Sequence, residues 1–344
     1  MKKIRVGING FGRIGRAFFR VARARPEIEV VAVNDLGDPA TFAYLLKYDS
    51  VYGYAPFTVS VSADGKALVV DGKEIKFLSE KEPAKLPWRD LGIDVVVEAT
   101  GFFASYEKAS AHVKAGAKRV IITAPVKDEP TGVTGATVLL GINEEKLKMS
   151  EIVSNASCTT NAASPVIAIL DKAIGIEKAI LNTVHAYTAT QSLVDGPAGK
   201  KGLREGRAAA QNIIPSSTGA ALAVTKAYPA LEGKFDGISL RVPVICGSIA
   251  DITFIAKRNT SVEEVNQILQ KAAAEKRWQG IFAVTEDELV SSDILGRPEG
   301  AIAELSMTRV VGGNLVKVLV WYDNEAGYAG TLVKHVLAAV KFIS

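Results

Sequence analysis

The stretch KIRVGINGFGRIGRAFFRVARA, Lys3 to Ala24, decides the fold. Its first seven residues are rich in strand formers, and the remainder carries apolar residues at helical spacing. Between the two, Gly10-Phe11-Gly12-Arg13-Ile14-Gly15 fits the pattern G-x-G-x-x-G. The bare pattern also occurs in strand–helix turns that hold no ligand. Its setting here is more specific. A strand precedes it, a helix opens on it, and Asp35 follows Gly15 by twenty residues, at the end of the next apolar run, EVVAVND (Glu29–Asp35). Gly10 would allow the tight turn, Gly12 the approach of a pyrophosphate to the backbone, and Gly15 close packing of the helix. The amides around Arg13 and Ile14, at the helix start, would receive that pyrophosphate. A carboxylate at Asp35 accepts hydrogen bonds from ribose hydroxyls and repels a 2′-phosphate, which favours NAD over NADP.

Working outward, residues 39–48 read as a helix, and residues 57–78 as short strands turned at Asp64-Gly65 and Asp71-Gly72. DVVVEATG (Asp94–Gly101), a helix near 104–115, and RVIITAP (Arg119–Pro125) resume the alternation. Apolar strands alternating with helices predict a parallel sheet covered on both faces. The texture then changes. A helix over 158–173 leads into KAILNTVHAYT (Lys178–Thr188), and GISLRVPV, SIADITFIAK and LVKVLVWYD read as further strands of a large sheet, mostly antiparallel. Ser261 and Glu264 form a capping box for a helix over 262–275, and the last 18 residues predict an amphipathic helix. Residues 191–216 are Gly-, Ala- and Arg-rich and too long for a plain connector.

With 344 residues the chain can fill two cores. Its 48% hydrophobic and 23% charged residues are those of an ordinary soluble protein. The net charge of +4 is spread along the chain, which suits anionic small molecules without requiring nucleic acid as a primary partner. No apolar run is long enough to predict a membrane span, and no secretory leader is evident at the N-terminus. Two cysteines, far apart, do not make a disulfide framework. A reducing cytoplasm is the expected location.

Cys158 lies in SNASCTTN (Ser154–Asn161), and His185, one of three histidines, in NTVHAYTATQ. A free cysteine is commonly a small buried hydrophobe. The neighbours Ser157, Thr159, Thr160 and Asn161 are all polar, however, and a helix start beside an imidazole lowers a thiol's pKa. The pair is therefore a candidate nucleophile and base. His112 and His335 read as structural or surface residues, and Cys246, within VPVICGSI, as a core cysteine.

The segments INGFGRIGR, VNDL, LLKYDSVYG, SNASCTTN, HAYTATQ, GRAAAQNIIPSSTGAA, LRVP and WYDNEAGY stand in one order along nearly the whole chain. In these the sequence resembles the phosphorylating glyceraldehyde-3-phosphate dehydrogenases. The resemblance implies an α/β fold: a Rossmann-type NAD-binding domain over 1–157, completed by a C-terminal helix over 325–344, and an α+β catalytic domain over 158–324. It implies Cys158 as nucleophile, forming a thiohemiacetal and then a thioester, with His185 as proton acceptor. Thr188 and Arg241 would serve one anion site, for the phosphate of glyceraldehyde 3-phosphate. Ser157, Thr159, Thr218 and Gly219 would serve the other, for inorganic phosphate. For NAD the resemblance adds Lys81, Thr123 and Asn324 to the glycine fingerprint and Asp35, with no metal. The loop over 191–210 resembles one that lines a neighbouring subunit's cofactor site, so a homotetramer is expected.

Ala162 stands where many members have a second cysteine, Lys81 where an arginine is frequent, and Ala326 where an aromatic is common. The segment ICGSIADIT also differs. These departures bear on cofactor affinity and subunit contacts more than on the reaction. Erythrose-4-phosphate dehydrogenase shares the scaffold but releases its thioester to water. Aspartate-semialdehyde dehydrogenase also forms a thioester, but HAYTATQ and WYDNE argue against it. A non-catalytic nucleotide- or RNA-binding role is disfavoured by the retention of both Cys158 and His185.

Overall fold

The computed structural model describes residues 3–197 and 202–343. Positions 198–201 of the 191–210 loop, and the terminal residues 1, 2 and 344 of the expected domains, lie outside the described residues. The chain divides into two compact units. One comprises residues up to Val138, Glu144–Ala156 and Leu332 onward; the other comprises Leu139–Asn143 and Ser157–Thr331.

The first unit begins with β1 (Ile4–Asn9), α1 (Arg13–Ala22), β2 (Ile28–Asn34) and α2 (Pro39–Lys47). A short ribbon, β3 (Tyr48–Asp49) and β4 (Gly53–Tyr54), precedes β5 (Val59–Val61), β6 (Ala67–Val70) and β7 (Lys73–Leu78). Next come β8 (Val95–Glu98), α3 (Tyr106–Lys114), β9 (Arg119–Ile122), β10 (Gly135–Thr137) and β11 (Ile152–Ser154). Among the described residues nine strands form one sheet, in the order β10-β11-β9-β8-β1-β2-β7-β6-β5. Neighbours from β10 to β7 run parallel, and the hairpins β7-β6-β5 close one edge. β8 and β9 are buried at every position, as strands covered on both faces must be. The β6–β7 turn uses Asp71 (φ 48°) and Gly72 (φ 76°), the two positive angles that a two-residue hairpin of this twist requires. Beneath the sheet, Val6, Ile8, Phe18, Val95, Val97 and Ile121 join Leu332 and Val336 in one core.

β1 sits between β2 and β8, so the chain leaves it in one direction and returns to its other side. The crevice at the carboxyl ends of strands around such a reversal is where open α/β sheets bind ligands. The Gly10–Gly15 turn occupies that end of β1.

The second unit holds α4 (Cys158–Ile174), β12 (Ile176–Ala186), β13 (Ile214–Ser217), α5 (Ala220–Ala227), β14 (Phe235–Val242) and β15 (Ser248–Ala256). They are followed by α6 (Val262–Ala273), β16 (Phe282–Thr285), β17 (Ala301–Val311) and β18 (Leu315–Tyr322). The sheet order is β13-β14-β12-β15-β18-β17-β16. It is antiparallel except at β14–β12 and β17–β16. Ser261 caps α6 by accepting from the Glu264 amide at 3.2 Å. α4 packs across β15, β17 and β18 and is buried over most of its length.

The C-terminal helix α7 (Ala326–Ala339) departs from the amphipathic expectation. Most of its residues are buried, including Thr331 and His335. Its Ala-, Gly-, Val- and Leu-rich sequence leaves little polar surface to face water.

Candidate active site

In the first unit a cavity of about 900 Å³ opens at the strand reversal. Gly10, Gly12, Asp35, Leu36, Lys81, Thr100 and Phe102 are among its lining residues. Gly10 takes φ +92°, and a Cβ there would lie 2.6 Å from the Thr100 nitrogen. At Gly15 a Cβ would lie 2.1 Å from the Gly10 carbonyl oxygen, so only glycine lets α1 start this close to the turn. A Cβ at Gly12 meets nothing within 4 Å. The space it would enter is empty, and Gly12 caps α1 without any side-chain acceptor for the first amides. A helix start with no side-chain cap and an open approach fits a pyrophosphate. Ile14 follows Arg13 in the first turn of that helix.

Asp35 ends this strand region as an acceptor. Its Oδ2 receives the Phe11 amide at 2.8 Å and its Oδ1 the Gly37 amide at 3.2 Å. Arg13 directs its guanidinium to Asp49, at 2.7 and 3.3 Å, rather than leaving it free for phosphate. Thr123, at the end of β9, donates to the Glu98 carbonyl at 3.0 Å and does not line the cavity.

A buried polar network underlies this cavity. Glu98 accepts from Asn9 Nδ2 at 2.6 Å, from the Thr100 amide at 2.9 Å and from the Thr100 hydroxyl, and it meets His112 Nε2 at 3.0 Å. Trp88 Nε1 donates to His112 Nδ1 at 2.9 Å, which leaves the ring proton on Nε2, facing the carboxylate. Asn9 and Thr100 both line the cavity. Sequence reading treats His112 only as a structural or surface residue and gives Glu98 no role. The partners come from four separate segments, so no local signal marks them. Phe102, exposed at the lip, was legible only as a large apolar residue just past a strand end.

In the second unit, Ser157 caps α4, its Oγ accepting the Thr160 amide at 3.1 Å. The cap places Cys158 as the first helical residue. His185 Nε2 approaches Cys158 Sγ at 3.4 Å. His185 Nδ1 lies 2.6 Å from the Ala186 carbonyl oxygen. Nε2 is therefore the ring nitrogen that faces the thiol. His185 and Arg241 are register partners on the parallel strands β12 and β14. Arg241 Nη1 donates to the Ala186 carbonyl at 3.1 Å and also contacts Nδ1 of the ring. Burial pushes the Cys158 thiol up, against the pull of the Arg241 charge and of Thr159. Sequence reading expects the helix start and the imidazole to lower the thiol's pKa; burial outweighs them here. With His185 Nε2 this close, a thiolate would be stabilised as part of a buried ion pair, which costs less than a lone buried charge.

The residues implied for anion binding divide into two groups. Arg241 Nε is buried without a partner, a donor available beside His185. Thr188 follows β12, its amide bonded to Gln191 Oε1 at 3.1 Å and its hydroxyl to Thr190 at 3.0 Å. In the other group, Thr218 accepts from the Ala220 amide at 3.2 Å, and Gly219 caps α5 with no side-chain partner. Thr160 Oγ1 bonds the Ala220 carbonyl at 3.5 Å, so the starts of α4 and α5 lie together. Thr159 is buried, its hydroxyl 2.8 Å from Tyr322 OH. Asn324, also in this unit, has its Oδ1 held by the Gly247 amide and the Ser248 hydroxyl, both at 3.0 Å, and by Cys246 Sγ at 3.7 Å. Cys246 is buried, as expected, but it is also a donor. Among the described residues no group of three His, Cys, Asp or Glu could hold a metal ion, and no helix is long and apolar enough to cross a membrane.

Comparison with known proteins agrees with both units. Residues 4–106 match the NAD binding domain of glyceraldehyde 3-phosphate dehydrogenase, and residues 157–324 match its C-terminal domain. The chain is 49% identical over 333 residues to glyceraldehyde-3-phosphate dehydrogenase of Streptomyces coelicolor, covering 96% of each. It is 50% identical to the protein of that name from Mycobacterium avium, again over 96% of each chain. A fungal relative, glyceraldehyde-3-phosphate dehydrogenase B of Aspergillus oryzae, is 47% identical over 94% of this chain and 95% of its own. With its fingerprint at the strand reversal and its cysteine–histidine pair at a helix start, the chain belongs to the glyceraldehyde-3-phosphate dehydrogenase family.

Proposed function

We propose that this protein catalyses the NAD-dependent oxidative phosphorylation of D-glyceraldehyde 3-phosphate to 1,3-bisphosphoglycerate. The observation that carries the reading is the approach of His185 Nε2 to Cys158 Sγ at 3.4 Å, with Arg241 beside the ring. His185 takes the thiol proton, Cys158 Sγ bonds to the aldehyde carbon, and His185 passes that proton to the former carbonyl oxygen, giving a thiohemiacetal. His185 Nε2 then accepts the hydroxyl proton as that adduct is oxidised to a thioester. When bound, NAD supplies the hydride acceptor. Within the first unit the residues that would hold it are Gly10, Gly12, Gly15, Asp35 and Lys81, with the amides of Arg13 and Ile14. Inorganic phosphate attacks the thioester carbon and the C–S bond breaks, so the acyl phosphate is released and Cys158 leaves as a thiolate. A thioester retains enough of the oxidation energy for phosphate to capture it.

The anion sites follow from the chemistry of the donors. Arg241 and Thr188 suit the substrate phosphate, and Ser157, Thr159, Thr218 and Gly219 suit the attacking phosphate. A cytoplasmic homotetramer completes the reading. Its support is the family resemblance, together with the apolar side chains of Leu193, Val194 and Leu203, all exposed along the loop expected to reach a neighbouring subunit.

The test is turnover of the purified protein with glyceraldehyde 3-phosphate, NAD and phosphate, followed as NADH. Omitting phosphate should stop steady turnover after one equivalent per site. Steady NADH formation without phosphate, fastest on erythrose 4-phosphate, would overturn the assignment.

A further inference from the structure

Tyr322 is fully buried, and its hydroxyl joins two others: Thr159 Oγ1 at 2.8 Å and Thr183 Oγ1 at 2.7 Å. Thr183 in turn reaches the Ile249 carbonyl at 3.3 Å. Each hydroxyl owns one proton, so this chain can run in two directions. In one, Thr159 donates to Tyr322, Tyr322 to Thr183, and Thr183 to the carbonyl. In the other, Thr183 donates to Tyr322 and Tyr322 to Thr159, which frees the Thr159 proton for an acceptor outside the chain. The first direction satisfies every member without a ligand. The second needs an oxyanion. Thr159 Oγ1 lies 4.0 Å from Cys158 Sγ, so an oxyanion attacking an acyl group on that sulfur comes within its reach. Burial holds the Tyr322 phenol well above its ordinary value, so it keeps the proton it has to pass on.

We propose that Tyr322 is a positioning residue for inorganic phosphate: by donating to Thr159 it turns that hydroxyl outward, toward the anion that attacks the thioester. The inference rests on the phosphorylating reading above. Chained hydroxyls polarise one another, so loss of the middle member weakens the last as a donor.

The experiment is Tyr322→Phe, with Thr183→Val as a second variant that leaves the Tyr322 ring against His185. The expected result is a KM for phosphate, and for arsenate, raised about 3- to 10-fold in Tyr322→Phe and in the same direction in Thr183→Val. The pre-steady-state NADH burst, and thioester capture by neutral hydroxylamine, should stay within about twofold of wild type, since neither uses the Thr159 proton. A phosphate KM unchanged in Thr183→Val and in any folded Tyr322→Phe protein overturns the inference. So does a parallel fall in burst and hydroxylamine rates, which would place Tyr322 in support of Cys158 and His185 instead. If wild type shows no phosphate-dependent turnover, it is the reaction assignment that fails.

Discussion

His185 meets Cys158 Sγ with Nε2 at 3.4 Å while its Nδ1 faces the Ala186 carbonyl at 2.6 Å, so one strand residue fixes both ends of the ring. In the proposed reaction the imidazole is the base for a thiol that burial otherwise pushes up. Replacing His185 with Asn should slow iodoacetamide alkylation of Cys158 at neutral pH at least tenfold. The half-maximal rate should also move to higher pH, because burial then acts without a proton acceptor. Turnover should fall by about 10²- to 10⁴-fold, as for loss of a general base. Cys158→Ser should abolish the NADH burst while leaving NAD binding by fluorescence titration near wild type. Alkylation of His185→Asn with an unshifted pH profile would show that the ring does not control the thiol.

Gly12 and Gly15 separate binding from packing within one turn. A Cβ at Gly15 would sit 2.1 Å from the Gly10 carbonyl oxygen, whereas a Cβ at Gly12 enters open space. Gly15→Ala should therefore destabilise the fold by about 1–3 kcal/mol, seen as a lower urea midpoint. Gly12→Ala should cost less than about 1 kcal/mol, since an alanine merely caps the helix more poorly than glycine. Its NAD affinity should nevertheless fall at least tenfold. Equal urea midpoints for the two variants would contradict the packing assignment.

The Asp35 carboxylate accepts the Phe11 and Gly37 amides and lines the cavity. Asp35→Asn retains an acceptor oxygen for the turn but removes the negative charge. The ratio of kcat/KM for NADP to that for NAD should rise by about tenfold, mostly through a lower KM for NADP, because the variant no longer repels a 2′-phosphate. If the ratio does not move, discrimination resides elsewhere, with Leu36 as the next residue to vary.

What the sequence made legible follows from range. The strand–turn–helix at Lys3–Ala24, the hairpin turn at Asp71-Gly72 and the Ser261 cap all depend on contacts a few residues apart, and pattern reading reaches those. Register is different: nothing near His185 announces that Arg241 will be its partner on a parallel strand. Trp88 precedes β8, Glu98 ends it and His112 lies on α3 just after it, yet no local pattern announces that the three side chains will meet. Thr159 reads as one more polar neighbour of the cysteine, yet it turns inward to Tyr322, 163 residues away. WYDNE was legible as a motif, but the partner of its tyrosine hydroxyl is a property of the folded sheet.

His335 supplies a test in acid. It is buried on α7 with Nδ1 3.1 Å from Asn155 Oδ1, and burial lowers its pKa from 6.5 to about 4. Nε2 is buried without a partner, so a second proton there would gain no hydrogen bond. The folded value lies below the unfolded one, so as pH falls the unfolded chain takes up the proton first. The contribution to stability is therefore whole above about pH 6.5 and declines as pH falls toward about 4, where the folded state begins to protonate as well. Two and a half pH units of separation correspond to about 3 kcal/mol. His335→Gln keeps a side chain able to donate to Asn155 and removes the titration. Urea midpoints measured from pH 7 to 4.5 should fall more steeply in wild type than in this variant, whatever the variant's stability at pH 7. Parallel slopes would mean that His335 protonates as readily in the folded protein as in the unfolded chain, and that its burial carries no cost in acid.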